Sequence, residues 1–383
     1  MASLEIEFAR VRLRNPVVIA ACPATECVET IVMCAEAGAG AVITKSIASY
    51  DAEAFQTGYR RTYVDHRGMW AMSTYRRETL TLEAGRRLVM EAVRTTDIPI
   101  IASVTALDTA FESWYPTCVA MQEAGASMIQ LDFFYLPQPV CAPRNAATLT
   151  ALVTSLSRDI EIPIMPKLNI EIPALLAAEA FMDTGIAGIS LLDSVHVPPP
   201  ILLDTDGRPA HRFVEKPSRA SLFGAWQLPL TLHYTYLLSR FTPFPLCAGG
   251  GLMNSRDAIE TMMLGATTVQ FATAILLHGY GRITEIVRGI EEFLEQKHLD
   301  NVTAVRRSAH QYLGGEGETM FTAARAKVDH DFCTRCDRCL ELAFCSAIVL
   351  VDEHIQIIHS QCDGCGLCTF YCEVGGLEVE TIP

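Results

Sequence analysis

The chain has 383 residues, half of them hydrophobic, and 44 acidic against 30 basic side chains give a formal net charge of −14. That balance lacks the basic face that phosphate neutralisation needs, which argues against nucleic acid as a partner. No stretch of about 18 or more residues lacks charge or proline as a membrane span would, and the opening MASLEIEFARVRLR carries no apolar signal segment, so no membrane contact and a cytoplasmic setting are expected.

Residues 4–13, LEIEFARVRL, alternate as strands do and predict a small hairpin plugging a barrel floor. From Pro16 onward, short apolar runs recur: VVIA (17–20), AVIT (41–44), IIASV (100–104), MIQLD (128–132), IPIMPKL (162–168), GISLLD (188–193), PLCAG (245–249) and TVQFAT (268–273). They fit buried parallel strands, and helix-period segments such as VETIVMCAEAG, TCVAMQEAGAS, ALLAAEAFMDTG, SRDAIETMMLG and ITEIVRGIEEFLEQK lie between most of them. Eight strands alternating with helices is the pattern of an α/β fold, a (β/α)8 TIM barrel over residues 1–300. A doubly wound sheet is the runner-up, but no GxGxxG turn follows the first strand. Residues 301–328 read as a linker, and 329–383 as a separate module.

Barrel chemistry sits at the carboxyl ends of the strands. Those ends carry Ala20, Ala21 and Cys22; Thr44 and Lys45; Asp132 with Tyr135; Lys167; Asp193 and Ser194; Gly249 to Gly251; and Ala272 with Thr273. Two lysines and two aspartates in one ring are costly without polar partners. The late glycines let backbone N–H groups approach a phosphate in the loops after strands 7 and 8. The set suits FMN, with a lysine near the flavin edge favouring its reduced form; a different phosphorylated ligand is the competing reading.

Eight of the fourteen cysteines fall in the last 51 residues, in the runs DFCTRCDRC and SQCDGCGLCTFYC. Three cysteines two residues apart can wrap one iron–sulfur cube, and the fourth of each run normally serves the other cluster. Cys333, Cys336, Cys339 and Cys372 are thus expected to hold one 4Fe-4S cluster, and Cys362, Cys365, Cys368 and Cys345 the second. Structural zinc takes two pairs of ligands more often than triplets with a straggler, and disulfides need an oxidising compartment.

The stretches RNPVVIAACPAT, AGAVITKSI, MIQLDFFYLP, PIMPKLN, GISLLDSV and AGGGLMNSRDAIETMMLGATTVQFATAIL resemble the dihydroorotate dehydrogenase superfamily. Joined to the cysteine runs, they are similar to the FMN-containing half of dihydropyrimidine dehydrogenases, and the tail resembles a bacterial two-cluster ferredoxin. Two departures mark the tail: five residues separate Cys339 from Cys345 where three are usual, and Glu373 stands where proline normally follows Cys372. The resemblance implies flavin contacts at Ala20, Ala21, Thr44, Lys45, Lys167, Gly224, Gly250, Gly251, Ala272 and Thr273. It also implies a small-molecule substrate, electrons exchanged with a ferredoxin or a separate NAD(P)H-oxidising flavoprotein subunit, and a homo-oligomer.

The substrate end departs from the family. The fourth strand ends in Asp132, followed by Phe133, Phe134, Tyr135, Leu136 and Pro137, where asparagine and then a catalytic cysteine or serine are usual; Asp193 and Ser194 replace an asparagine–threonine pair after the sixth strand; and Ser73 is the nearest match to an asparagine after the second. An ionised aspartate only accepts hydrogen bonds, so a substrate facing Ser73, Asp132, Asp193 and Ser194 should present N–H or O–H donors or a positive charge. Candidates to move the proton are Tyr135, then Asp132 and Asp193 with raised pKa values, then His196; an aromatic wall is the competing role for Tyr135, and packing for Cys22 and Cys27. The leading expectation is a flavin and iron–sulfur oxidoreductase acting on CH–CH groups. A dihydropyrimidine or dihydroorotate dehydrogenase proper, an electron-transfer subunit with a non-catalytic barrel, and a flavin-dependent lyase or isomerase are the alternatives.

Overall fold

The computed structural model describes residues 2–49, 79–136, 146–170, 178–198, 201–209, 220–314 and 322–382, together with the backbone of 61–64 and 71–74. The chain divides into two compact units, Met1–His310 and Gln311–Pro383.

In the first unit the eight apolar runs form eight parallel strands: β1 (Val17–Ile19), β2 (Ala41–Ile43), β3 (Ile100–Thr105), β4 (Met128–Asp132), β5 (Ile164–Lys167), β6 (Ile189–Leu191), β7 (Leu246–Gly249) and β8 (Thr268–Phe271). β8 pairs with β1 and β2 with β3, so the sheet closes on itself. Helices on the outside include α1 (Val28–Glu36), α2 (Leu82–Thr95), α3 (Phe111–Glu123), α4 (Ala146–Asp159), α5 (Leu228–Phe241), α6 (Ser255–Met263), α7 (Thr273–His278) and α8 (Gly281–Gln296). This is the expected TIM barrel, and its strands are buried on both faces, which is why they read as continuous apolar runs. Part of the helical segment ALLAAEAFMDTG, at 174–177, lies outside the described residues.

Local chemistry starts the helices where the sequence requires it. At α6, Asn254 Oδ1 accepts from the Asp257 amide (3.1 Å) while Asp257 Oδ2 accepts from the Met253 amide (2.7 Å), so two otherwise orphaned donors are satisfied reciprocally. Ile6–Phe8 and Val11–Leu13 make the N-terminal hairpin, and Phe8 packs fully buried against Gly188, just before β6, at the floor of the barrel. Inside, polar positions at period two bond across strands: Gln130 Nε2 donates to Ser103 Oγ (3.0 Å) and Gln270 Nε2 to Ser190 Oγ (2.8 Å).

An antiparallel four-stranded sheet of Val195–Val197, Ala220–Phe223, Ala71–Thr74 and Arg61–Val64 follows from the carboxyl ends of β2 and β6. Its register sets His196 opposite Ser221 and Ser221 opposite Ser73.

The expected linker at 301–328 is structured at both ends. Val302 and Val305 are buried in the barrel core, with the Val302 amide donating to Ser3 O (2.9 Å), and Ala324–Val328 is already a strand of the second unit. That unit pairs β9 (Ala324–Val328) with β12 (Leu377–Thr381) and β10 (Ile348–Val351) with β11 (His354–Ile357), with a short helix α9 (Leu367–Tyr371). Its core is small, and two of its seven members are cysteines, Cys339 and Cys368.

Candidate active site

A cavity of about 360 Å³ opens at the carboxyl ends of the strands. Of the positions expected to touch a flavin, Ala20, Ala21, Lys45, Lys167, Gly250, Gly251, Ala272 and Thr273 line it, while Thr44 and Gly224 do not. Thr44 is buried behind the wall, its Oγ1 accepting from the Ser103 amide at 3.1 Å. Gly224 precedes the turn Ala225–Gln227, from which Gln227 reaches the cavity. At Gly251, φ is +87° and an added Cβ would lie 2.4 Å from the Leu228 amide nitrogen; at Gly250, φ is +104° and it would meet Thr231 Oγ1 at 2.8 Å. Only glycine lets this backbone run so close to the start of α5 and still face the cavity.

Lys167 ends β5 directly opposite Asp132 at the end of β4. Its Nζ lies 2.7 Å from Asp193 Oδ2. The other oxygen of Asp193 accepts from the Ser194 amide (2.6 Å) and Ser194 Oγ (3.2 Å), and Gln227 Nε2 donates to the Asp193 carbonyl (2.5 Å). Burial opposes the negative charge on Asp193, but Lys167 and the Ser194 donors outweigh it and hold the carboxyl below its ordinary range. Burial likewise opposes the charge on Lys167, and Asp193 and Asp132 together overcome it, so the ammonium is held above its ordinary pKa.

Asp132 differs. It is 2 % exposed; its Oδ2 accepts from Ser46 Oγ (2.7 Å) and its Oδ1 from the Phe134 amide (3.1 Å). Burial pushes its pKa up, and the charge of Asp193 adds to that push against the pull of Lys167 and the two donors. Both aspartates were expected to be raised; Asp132 is, and Asp193 is lowered because its carboxylate took the ion pair with Lys167 and two donors from Ser194.

The proton-moving candidates do not all meet at the cavity. Asp193 lines it, as does Ser194 of the expected substrate contacts; Asp132, Tyr135 and His196 do not. Tyr135 is 4 % exposed and stands edge-on to Phe134 (5.4 Å, 89°), whose ring stacks on His196 (4.0 Å, 26°). Together they form an aromatic wall. Ser73 is in register on the neighbouring sheet, and its side chain lies outside the described residues. Cys22 lines the cavity with its thiol pushed up to about 11 by burial against the pull of Lys45 and Lys167, and a thiol held so far above neutrality is a packing group.

Sequence reasoning missed Ser46, Gln227 and Gln270. Gln270 Nε2 is committed to Ser190 Oγ, Leu191 O (2.5 Å) and Cys247 O (3.1 Å), which fixes the amide's orientation. Its Oε1, in a residue 3 % exposed on the cavity wall, has no hydrogen-bond partner among the described residues. A glutamine at an inward position of an otherwise apolar strand was the available signal.

In the second unit, Cys333, Cys336, Cys339 and Cys372 line one cavity, and Cys345, Cys362, Cys365 and Cys368 another. Among the described residues, no three His, Cys, Asp or Glu side chains close on a single metal ion. Burial raises the Cys339 thiol, and Cys333, Cys336 and Cys372 add like charge; burial raises Cys368 too, with Cys362, Cys345 and Cys365 adding theirs. Within each set one thiol is exposed, one buried and two half-buried. The Ala326 amide donates to Cys362 Sγ (3.2 Å) and the Gly376 amide to Cys372 Sγ (3.1 Å). Glu373 pairs with Arg338, between the first run's cysteines.

These observations define a closed (β/α)8 barrel with a lysine–carboxylate site at its mouth, joined to a unit carrying two cysteine quartets. No family model matches the chain. It is 23% identical over 357 residues to the NAD-dependent dihydropyrimidine dehydrogenase subunit PreA of Escherichia coli (strain K12), covering 88% of this chain and 84% of that protein. It is 26% identical over 327 residues to the dihydroorotate dehydrogenase B (NAD(+)) catalytic subunit of Methanothermobacter thermautotrophicus (80% of this chain, 98% of that one). The same subunit of Thermoplasma volcanium is 24% identical over 314 residues (79% and 97%). The chain is therefore similar to the dihydroorotate dehydrogenase superfamily and to the dihydropyrimidine dehydrogenase subunit. Coverage of 88% exceeds the 310 residues of the barrel unit, so the latter similarity reaches into the cysteine-bearing unit. Among the described residues no helix is long and apolar enough to cross a membrane.

Proposed function

We propose that the chain is an oxidoreductase carrying FMN at the barrel mouth and two 4Fe-4S clusters in a ferredoxin-like second unit. It adds or removes hydrogen across a C–C bond of a small, cyclic, donor-bearing substrate. The observation that carries this reading is the division of the eight cysteines into two quartets, each around its own cavity, in a chain whose barrel turns two lysines into one mouth.

The residues fit both groups. Thiolates are the donors an iron–sulfur cube requires. The mouth offers two cations, the close backbone of Gly250 and Gly251, and the unpartnered Oε1 of Gln270, which needs a donor such as an imide N–H. When bound, the flavin supplies hydride transfer and the clusters single-electron passage.

The chain's own residues do the rest. Lys45 and Lys167 favour a negatively charged ring edge. Asp193, held as an anion, accepts a hydrogen bond from a substrate N–H or O–H, and Ser194 Oγ, which donates to Asp193 Oδ1, is a hydroxyl at the cavity that can pass a proton. Phe134, His196 and Tyr135 pack on one another off the cavity. Electrons reach or leave the clusters through a ferredoxin or a separate NAD(P)H-oxidising flavoprotein subunit.

Aspartates replace the asparagines that grip a pyrimidine amide edge, which separates this reading from dihydropyrimidine or dihydroorotate oxidation. An electron-transfer subunit with a non-catalytic barrel is favoured by one observation: Tyr135 stands off the cavity. Purification without oxygen should yield one FMN and about eight iron atoms per chain. Colourless protein sinks the proposal, and flavin that responds to a redox partner but to none of a panel of cyclic substrates favours the non-catalytic alternative.

A further inference from the structure

The Lys167–Asp193 pair has a consequence for any electron acceptor in the mouth, and it rests on the flavin reading above. Both residues line the cavity, and the ion pair is 2.7 Å long, with Lys167 5 % and Asp193 21 % exposed. Asp193 is not a mobile side chain: the Ser194 amide and hydroxyl hold its other oxygen, and Gln227 holds its carbonyl. A lysine facing a flavin favours the form that has taken up two electrons and one proton and so carries one more negative charge. A carboxylate locked onto that lysine cancels most of the effect, because opposite charges in direct contact act at a distance as a dipole.

We propose that Asp193 is a positioning and charge-compensating residue that acts through Lys167 to lower the reduction potential of the flavin in this mouth. The site is thereby tuned toward giving electrons up rather than holding them. The directions of the two pKa shifts agree, since each partner keeps the other charged. The sequence around β6 supplies the device: GISLLDSV puts an ionisable side chain where a neutral amide would leave Lys167 without a carboxylate in direct contact.

The test is the midpoint potential of FMN in the intact holoprotein, purified without oxygen, for wild type, Asp193→Asn, Lys167→Met and the double variant. Asp193→Asn should raise the two-electron reduction equilibrium about ten- to a hundredfold, roughly 30 to 60 mV, and Asp193→Glu should restore the low value. Lys167→Met should lower it. The double variant, which replaces a neutral pair by neutral side chains and is the change most easily tolerated in folding, should return to within about 30 mV of wild type. An unshifted potential in Asp193→Asn, or a double variant as low as Lys167→Met, overturns the inference. If Asp193→Asn does not fold, the double variant still decides it. Wild-type protein free of flavin overturns the reading beneath it and this inference together; flavin bound with unshifted potentials overturns the inference alone.

Discussion

The barrel and the second unit solve opposite problems. The barrel buries a large apolar core, and this leaves it able to carry Lys45, Asp132 and Lys167 at 8 % exposure or less, each a group that costs stability unless partnered. Among its described residues the second unit, Gln311–Pro383, has seven core members, and Phe332, Phe344 and Phe370 stand more than 60 % exposed beside its cysteines. A domain of that size usually needs a staple. In one unit the functional groups are supported by the fold; in the other, the proposed clusters support the fold.

The largest effect should follow from breaking that difference at Cys368. Cys368→Ser is expected to remove the second cluster, taking bound iron from about eight to about four per chain, and to render residues 311–383 protease-sensitive while the barrel melts as before. Iron analysis with limited proteolysis checks it, and equal destabilisation of both units would erase the contrast. Next in size, Asp193→Ala removes the carboxylate in contact with the buried Lys167 charge, at a cost of about 3–5 kcal/mol in denaturant unfolding of the barrel.

A smaller, pH-dependent effect sharpens the comparison within the mouth. Asp132 is raised in the fold, so its contribution is fully present below its unfolded pKa and is lost as pH rises through the folded one. Asp193 is lowered, so its contribution is present above its unfolded pKa and is lost as pH falls through the folded one. Asp132→Asn should therefore flatten the decline of stability above about pH 4, worth about 1.4 kcal/mol for each unit of raised pKa removed; urea unfolding across pH 4 to 8 measures the slope. Smallest of all, Tyr135→Phe should change turnover by less than about threefold, because the ring stands off the cavity. A loss of a hundredfold would return Tyr135 to the chemistry.

The eight strand runs were readable because a strand buried on both faces is an apolar run whatever surrounds it. Lys45 and Lys167 were readable for a related reason: a lysine ending such a run has few places to go but the mouth. Tyr135 was not. DFFYLP shows three aromatic rings, and it was the stacking of Phe134 on His196, 62 positions away, that made this loop a wall. Ser46 and Gln227 went unseen because each acts on an aspartate distant in sequence.

The order of residues by itself determined the closed barrel, through the period of its apolar positions. It also determined the triplet spacing of the cysteines, which is a local backbone property. The sequence also assigned Cys345 to the set of Cys362, Cys365 and Cys368, and the tertiary structure brings it to their cavity although five residues instead of three precede it. Only the tertiary structure decided that burial raises the Asp132 carboxyl while Lys167 and Ser194 lower that of Asp193. Charge in a buried site follows from desolvation and from the donors that arrive from other strands, and neither quantity is written in the neighbours along the chain.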